Sequence, residues 1–147
     1  MMEMDDKDRS IINMLSRNAR ISYTEMAANM GISETAVRKR IKKLEREGII
    51  EGYTVKVNPQ RLGYNSIAHV GIDANPELFL EVASILTEMN EVKCVAITSG
   101  SNMIMTDVWA ADNKELTEIM NEISKIRGVI ALHPTIVVEM LKSQQTP

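Results

Sequence analysis

A chain of 147 residues, 44% hydrophobic and 25% charged, has room for one average domain or two small ones and the composition of a globular protein. No stretch approaches the ~18 apolar residues of a membrane span, and the opening MMEMDDKDR is acidic where a signal peptide is basic and then apolar, so a cytoplasmic protein is expected. A single cysteine rules out a disulfide framework, and a net charge of −3 rules against a general nucleic-acid coat.

In chain order, Asp5 to Arg17 reads as a helix, with acidic residues in its first turn and Ile11, Ile12 and Leu15 facing inward. Asn18 tolerates the left-handed backbone that would end it. A second helix begins at Ser22, where Ser22 and Glu25 have capping-box spacing and Ile21 can pack on Met26. It stops near Asn29, because Gly31 accepts a positive φ and Ser33 is already the next cap. In the third helix Val37, Ile41 and Leu44 make one apolar stripe; Thr35, Lys39, Lys42 and Arg46 lie opposite, flanked by Arg38 and Lys43.

Two short helices bent at a glycine, with the small Ala27 on the inner face and Val37 in the stripe, have the proportions of a helix-turn-helix. Its second helix places N-terminal residues against base edges in a major groove and basic residues against phosphates. Ser22, Tyr23, Ser33, Glu34, Thr35, Arg38, Lys39, Arg40, Lys42, Lys43 and Arg46 are the candidate contacts with double-stranded DNA. Arg40 stands where an apolar residue often closes such a pair of helices; Ile41 takes that part, leaving the Arg40 head for a phosphate or a nearby carboxylate. Residues 1–50 hold ten Lys or Arg against eight Asp or Glu, and residues 51–147 seven against twelve, so the basic charge is gathered in the head. The plain alternative for RKRIKKLER is the solvated face of an amphipathic helix.

Residues 51–65 follow as a hinge. Tyr53, Val55 and Val57 alternate as a strand before the Asn58, Pro59 and Gly63 turn signals, either a wing touching phosphate or a surface connection. Residues 66–147 then read strand, helix, strand, strand, helix, strand. Ile67 to Asp73 is a strand; Asn75 and Pro76 open a helix carrying Leu78, Val82, Ile85, Leu86 and Met89. Val92 to Thr98 and Met103 to Ala110 flank a turn, Asp112 or Asn113 caps a helix with Leu116, Ile119, Met120 and Ile123, and Gly128 ends it before a strand from Val129 to Leu141. That order is a ferredoxin-like αβ-sandwich with both helices on one sheet face. The fold class is α+β, a three-helix, winged-helix-like head joined by a hinge strand to this βαββαβ domain. The other sheet face, expected to be rich in Val, Ile and Ala, predicts a homodimer. Pro134 requires its strand to lie at an edge or to carry a bulge, and this topology places it at an edge. Cys94, in an apolar run, is expected as a small buried hydrophobe.

The stretches MDDKDRSIINMLSRNAR, ISYTEMAANMGISETAVRKRIKKLEREGIIEGY and TSGSNMIMTDVWAAD, with RGV before the last strand, together resemble the Lrp/AsnC or "feast/famine" family of prokaryotic transcriptional regulators, most of all its archaeal members. The resemblance implies a winged or near-winged head, a ligand-sensing αβ-sandwich, dimers joined through it, and assembly into octamers or similar discs. It also implies a small effector, usually an amino acid, bound between dimers near Ser99, Gly100, Ser101, Asn102 and Met103. Many members carry an acidic residue where Met103 stands; a carboxylate pairs with an α-amino group and a thioether does not, so an amino acid, another ligand and no ligand all stay open. Ser99, Ser101, Asn102 and nearby amides could still hold a carboxylate, though Ser and Asn also serve turn geometry.

No catalytic role is expected: His69 and His133 lack metal-ligand spacing to Cys94 or an acid, and no phosphate loop or nucleophile elbow appears. No metal or cofactor is expected beyond the effector. The remaining alternative is a regulatory amino-acid-binding subunit whose head contacts protein, a role that gives six cations on one helix little purpose. The expected regulator would repress by occlusion, on its own promoter among others, or activate by recruiting the basal transcription machinery.

Overall fold

The computed structural model describes residues 4–142. Its first helix, α1 (Asp6–Arg17), is entered through a reciprocal cap: Asp5 Oδ1 accepts the Asp8 N–H at 2.8 Å, and Asp8 Oδ2 accepts the Asp5 N–H at 3.4 Å. The helix ends at Asn18 with extended backbone (φ −149°), not the left-handed turn expected. There the Asn18 carboxamide accepts the Arg20 N–H at 3.0 Å and redirects the chain by a side-chain turn instead.

The next helix, α2 (Tyr23–Met30), starts on Ser22, whose hydroxyl accepts the Glu25 N–H at 3.1 Å. Glu25 makes no return bond among the described residues, so the expected capping box is a single cap. Gly31 closes α2 at φ +63°, and α3 (Glu34–Arg46) follows at once, with the Ser33 hydroxyl accepting the Ala36 N–H at 3.2 Å. Ile11, Met26, Val37, Ile41 and Leu44 meet in one core, each at most 2% exposed. Each such side chain contributes roughly 1.5–3 kcal/mol by leaving water, so the two turn residues, Gly31 and Ser33, are held in place by the packing they direct.

Residues 51–58 carry no regular secondary structure. Tyr53, Val55 and Val57, expected as a strand, are 54%, 79% and 41% exposed, and no strand among the described residues lies in register with them. Alternation alone does not make a strand without a neighbour to complete the ladder. Contacts divide the chain after Lys56, and Val57–Leu141 forms the second unit.

That unit runs β1 (Ser66–Ala74), α4 (Phe79–Thr87), β2 (Val92–Ile97), β3 (Ile104–Ala110), α5 (Asn113–Ser124) and β4 (Val129–Ile136). The strands form one antiparallel sheet in the order β2-β3-β1-β4. Pro134 sits opposite Val70 in the edge strand β4, the place its missing N–H requires. Helix α4 opens at Phe79 and not at Asn75, because the Asn75 carboxamide accepts the Glu77 N–H at 2.9 Å and forms a turn of its own first. Asp112 caps α5 by accepting the Glu115 N–H at 2.9 Å. Gly128 lies beyond the end of that helix, which closes at Lys125, and turns the chain into β4 at φ +100°. β4 stops at Ile136, paired with Ala68 two residues from the start of β1, instead of running to Leu141, and the Val137 N–H adds a last bond to the Ile67 carbonyl at 2.8 Å where β1 runs out of residues to pair.

Ala68, Val70, Ile72, Ile104 and Val108 face the helices and pack on Val82, Leu86, Leu116, Ile119 and Ile123. Because side chains alternate across a strand, the opposite face carries Ile67, His69, Gly71, Asp73, Met105, Asp107 and Trp109. It is therefore mixed, not the Val, Ile and Ala surface expected, since most branched residues of the central strands, Val70, Ile72, Ile104 and Val108, face the helices and only Ile67 stays on the open side. Cys94 pairs in register with Asp107 on this open face and is exposed, not buried as expected, because β2 is an edge strand with polar or uncovered positions on that side.

Candidate nucleic-acid interface

Ser33, Glu34, Thr35, Arg38, Lys39, Lys42, Lys43 and Arg46 are all exposed on α3, on the sides away from its buried stripe. The stripe fixes the roll of the helix, and Ser33 fixes its start. The cations differ in how they are held. Among the described residues Lys39, Lys42 and Lys43 make no side-chain hydrogen bond, ion pair or ring contact, and Arg46 pairs only with its chain neighbour Glu47, at 2.9 Å. Exposed cations with so few fixed partners are suited to phosphates, which need only a positive charge nearby.

Arg40 is different. Its Nη1 lies 2.6 Å from Asp8 Oδ1 and 2.8 Å from Asp5 Oδ2, so of the two partners open to it, the carboxylates of α1 hold it. The side chain keeps 29% exposure while Asp8 keeps 3%. The Asp8 bond, then the Asp5 bond, push the guanidinium further toward its charged form.

At the front of α3, Arg38 is met by two groups. Its guanidinium carbon stands 5.2 Å from the Tyr23 ring centroid, and Nη2 is 3.6 Å from Glu34 Oε1. Glu34 Oε2 in turn accepts the Thr24 hydroxyl at 3.0 Å. Thr24 was not among the candidates; no charge or capping pattern marks it, and only the crossing of α2 over α3 brings it to Glu34. Ser22 serves as the α2 cap. The Tyr53 hydroxyl donates to Glu45 Oε1 at 2.8 Å, and partial desolvation of the hydroxyl, with that bond, pushes its pKa up to about 12.

In the second unit, Ser99, Gly100 and Ser101 are exposed at the β2–β3 turn, while Asn102 and Met103 are half-buried. The Thr98 N–H reaches the Met103 carbonyl at 2.9 Å to close the turn. Met103 packs against the helix-side core. Asn102 folds the other way, over Gly71, where any Cβ would collide with its carboxamide, and donates through Nδ2 to Asp73 Oδ1 at 3.1 Å. Asp73 Oδ2 lies 3.0 Å from His133 Nε2. The Asn102 bond, then the His133 bond, hold the Asp73 carboxyl below its ordinary value. A second pair, His69 Nδ1 and Asp107 Oδ1 at 2.5 Å, crosses the same face. The turn thus reaches a carboxylate after all, from β1 instead of position 103.

Among the described residues no helix is long and apolar enough to cross a membrane, and no group of three metal-ligating side chains gathers. Residues 4–51 match a winged helix-turn-helix DNA-binding family, and residues 67–147 match the Lrp/AsnC ligand binding domain. The chain belongs to the Lrp/AsnC family. It is 48% identical over 140 residues to the HTH-type transcriptional regulator LrpA of Pyrococcus abyssi, covering 95% of this chain and 99% of that one. The regulator LrpA1 of Halobacterium salinarum is 37% identical over 142 residues, covering 96% of this chain and 100% of its own. Among solved structures the fold is similar to AsnC of E. coli, with a TM-score of 0.90 and 27% identity over 97% of both chains. It is similar in fold to a Neisseria meningitidis transcriptional regulator determined as a complex with L-Met, with a TM-score of 0.92 and 18% identity over 99% of this chain and 96% of that one. As a member of the Lrp/AsnC family this chain is a DNA-binding transcriptional regulator with a helix-turn-helix head and a C-terminal ligand binding domain.

Proposed function

We propose that this regulator reads promoter DNA through α3 and adjusts its binding to a small effector held near the β2–β3 turn, with residues 1–50 as reader, 51–65 as hinge and 66–147 as sensor. The observation that carries the reading is the exposed cationic side of α3, set on a buried apolar stripe and started by the Ser33 cap. Thr35, Arg38 and Lys39, nearest the helix start, meet base edges; Lys42, Lys43 and Arg46 meet phosphates. Ser22, Tyr23, Ser33 and Glu34 line the approach, and Arg40 supports α3 from behind through α1.

Homodimers form through the open face of the sheet and join into an octamer or a similar disc. Each dimer offers two heads to successive major-groove faces ~34 Å apart on a roughly palindromic site. The effector is an amino acid whose carboxylate meets Ser99, Ser101 and backbone amides of the Gly100 turn, with Asn102 and Met103 shaping the pocket. Its α-ammonium has a partner in Asp73, the carboxylate that Asn102 already touches. The regulator acts in the cytoplasm without catalysis, metal or cofactor, by occluding a promoter or by recruiting the basal transcription machinery.

A nuclease footprint on the DNA upstream of its own gene, with and without the twenty amino acids, tests this reading. Protection repeating about every ten base pairs and shifted by one amino acid is the expected result. Protection no stronger than on random DNA would overturn autoregulation, and the same result across a randomised duplex library would overturn DNA reading in favour of a head that contacts protein.

A further inference from the structure

Of the six cations on or beside the reading face, Arg38 alone is oriented from a second helix while remaining 55% exposed. Lys39, Lys42 and Lys43 are unconstrained among the described residues, Arg46 is tied to its chain neighbour, and Arg40 is turned to α1. A phosphate contact needs only a positive charge nearby, and a mobile side chain supplies it. Reading a base edge needs a planar fork at a set angle, because two parallel N–H groups must meet two acceptors at once.

Arg38 has the support such a fork needs. The Tyr23 ring at 5.2 Å faces the guanidinium and restricts its plane. Glu34 at 3.6 Å engages Nη2 and leaves further N–H donors unused. Glu34 itself is braced by the Thr24 hydroxyl at 3.0 Å, so both supports come from the first turn of α2, either directly or through one carboxylate. In the major groove only guanine offers the paired N7 and O6 acceptors that fit two guanidinium N–H groups.

We propose that Tyr23, Glu34 and Thr24 preset Arg38 as a guanine reader, so that each half-site carries a guanine where Arg38 enters the groove. This rests on α3 being the DNA-reading helix. Arg38 is then the specificity-determining residue, and Tyr23, Glu34 and Thr24 are positioning residues.

The test is selection of binding sites from a randomised duplex library with the full-length protein, followed by affinity measurements on the selected site. Wild type should prefer guanine at one symmetric position by about 5- to 150-fold over other bases, and R38A should lose that preference while keeping the rest of the motif. Y23L and E34Q should each cut it about two- to fivefold, and Y23F, which keeps the ring, should restore it. Replacing that guanine by 7-deazaguanine removes N7 alone and should weaken wild type about tenfold without affecting R38A, a readout that leaves the wild-type fold untouched. A guanine preference that survives R38A overturns the assignment. Unchanged selectivity in both Y23L and E34Q overturns the presetting. Wild type that selects no motif overturns DNA reading by α3 itself, which separates that failure from this one.

Discussion

Arg40 Nη1 stands 2.6 Å from Oδ1 of Asp8, a carboxylate only 3% exposed at the start of α1, although Arg40 itself is on α3, the second helix of the helix-turn-helix. The pair joins the first and last helices of the head across its core. Asp5 adds a second acceptor at 2.8 Å and also caps α1, so one guanidinium closes a helix start and a helix packing at once. A buried carboxylate deprived of its cation is costly, far more so than an exposed pair cut in half.

Arg40→Ala is therefore expected to destabilise the protein by about 2–4 kcal/mol, below the full buried-pair value because Arg40 keeps partial access to water. Replacing Asp8 and Arg40 together by leucine should cost much less than the two single changes summed. Urea unfolding followed by circular dichroism measures both. Where R40A remains folded, its DNA affinity should fall with no change in salt dependence; a flattened salt slope would return Arg40 to the phosphate contacts.

Acid should act on the same corner. The Asp8 N–H, then Arg40, hold the Asp5 carboxyl below its ordinary value of 3.8. A carboxyl lowered in the folded state contributes stability that is complete above the unfolded pKa and is lost as pH falls through the folded one. The head is expected to lose stability as pH drops below 3.8, and Asp5→Asn should flatten that part of the stability curve. Unfolding midpoints of wild type and D5N across that range decide the matter.

Lys42 should contribute charge without sequence. K42A is expected to weaken all duplexes alike and reduce the slope of log affinity against log salt by about 0.9. Arg46, already paired with Glu47 at 2.9 Å, should show a smaller change for R46A, and E47Q should strengthen binding. Fluorescence anisotropy on specific and random duplexes over a salt series gives each slope.

Gly71 is the most crowded glycine of the second unit. An added Cβ meets the Asn102 carboxamide, so G71A should displace Asn102, break its bond to Asp73 and move the β2–β3 turn. The expected loss is about 1 kcal/mol, a fall in melting temperature of roughly 4–8 °C for a unit of this size. Combining G71A with N102A should recover part of it, because the collision is gone. A single variant that melts like wild type would show that the carboxamide moves aside freely.

The head was almost fully legible from local chemistry. Ser22, Gly31 and Ser33 mark two helices and their turn by cap identity alone, and Val37, Ile41 and Leu44 fix which side is buried. The order of strands and helices was legible for a similar reason, since apolar period and turn residues change together at Asp112 and before Val129. What escaped depends on neighbours distant in sequence. Thr24 enters only because α2 crosses the start of α3, and Asp73 joins the turn only because Gly71 leaves room for Asn102. The composition of the open sheet face is not legible because strand alternation separates two sets of residues without saying which set the helices cover; Val70, Ile72 and Val108 all fall on the covered side. Tyr53, Val55 and Val57 show the opposite limit: a strand pattern that no strand among the described residues completes.

Cys94 is the one thiol of the chain, and it stands exposed in β2 beside Asp107. The molecule thus carries a single built-in chemical clock on its own sheet. Alkylation there reports, without any engineered label, whether that surface is open to reagent, and under the proposed dimerisation through this face its rate is expected to fall as protein concentration rises.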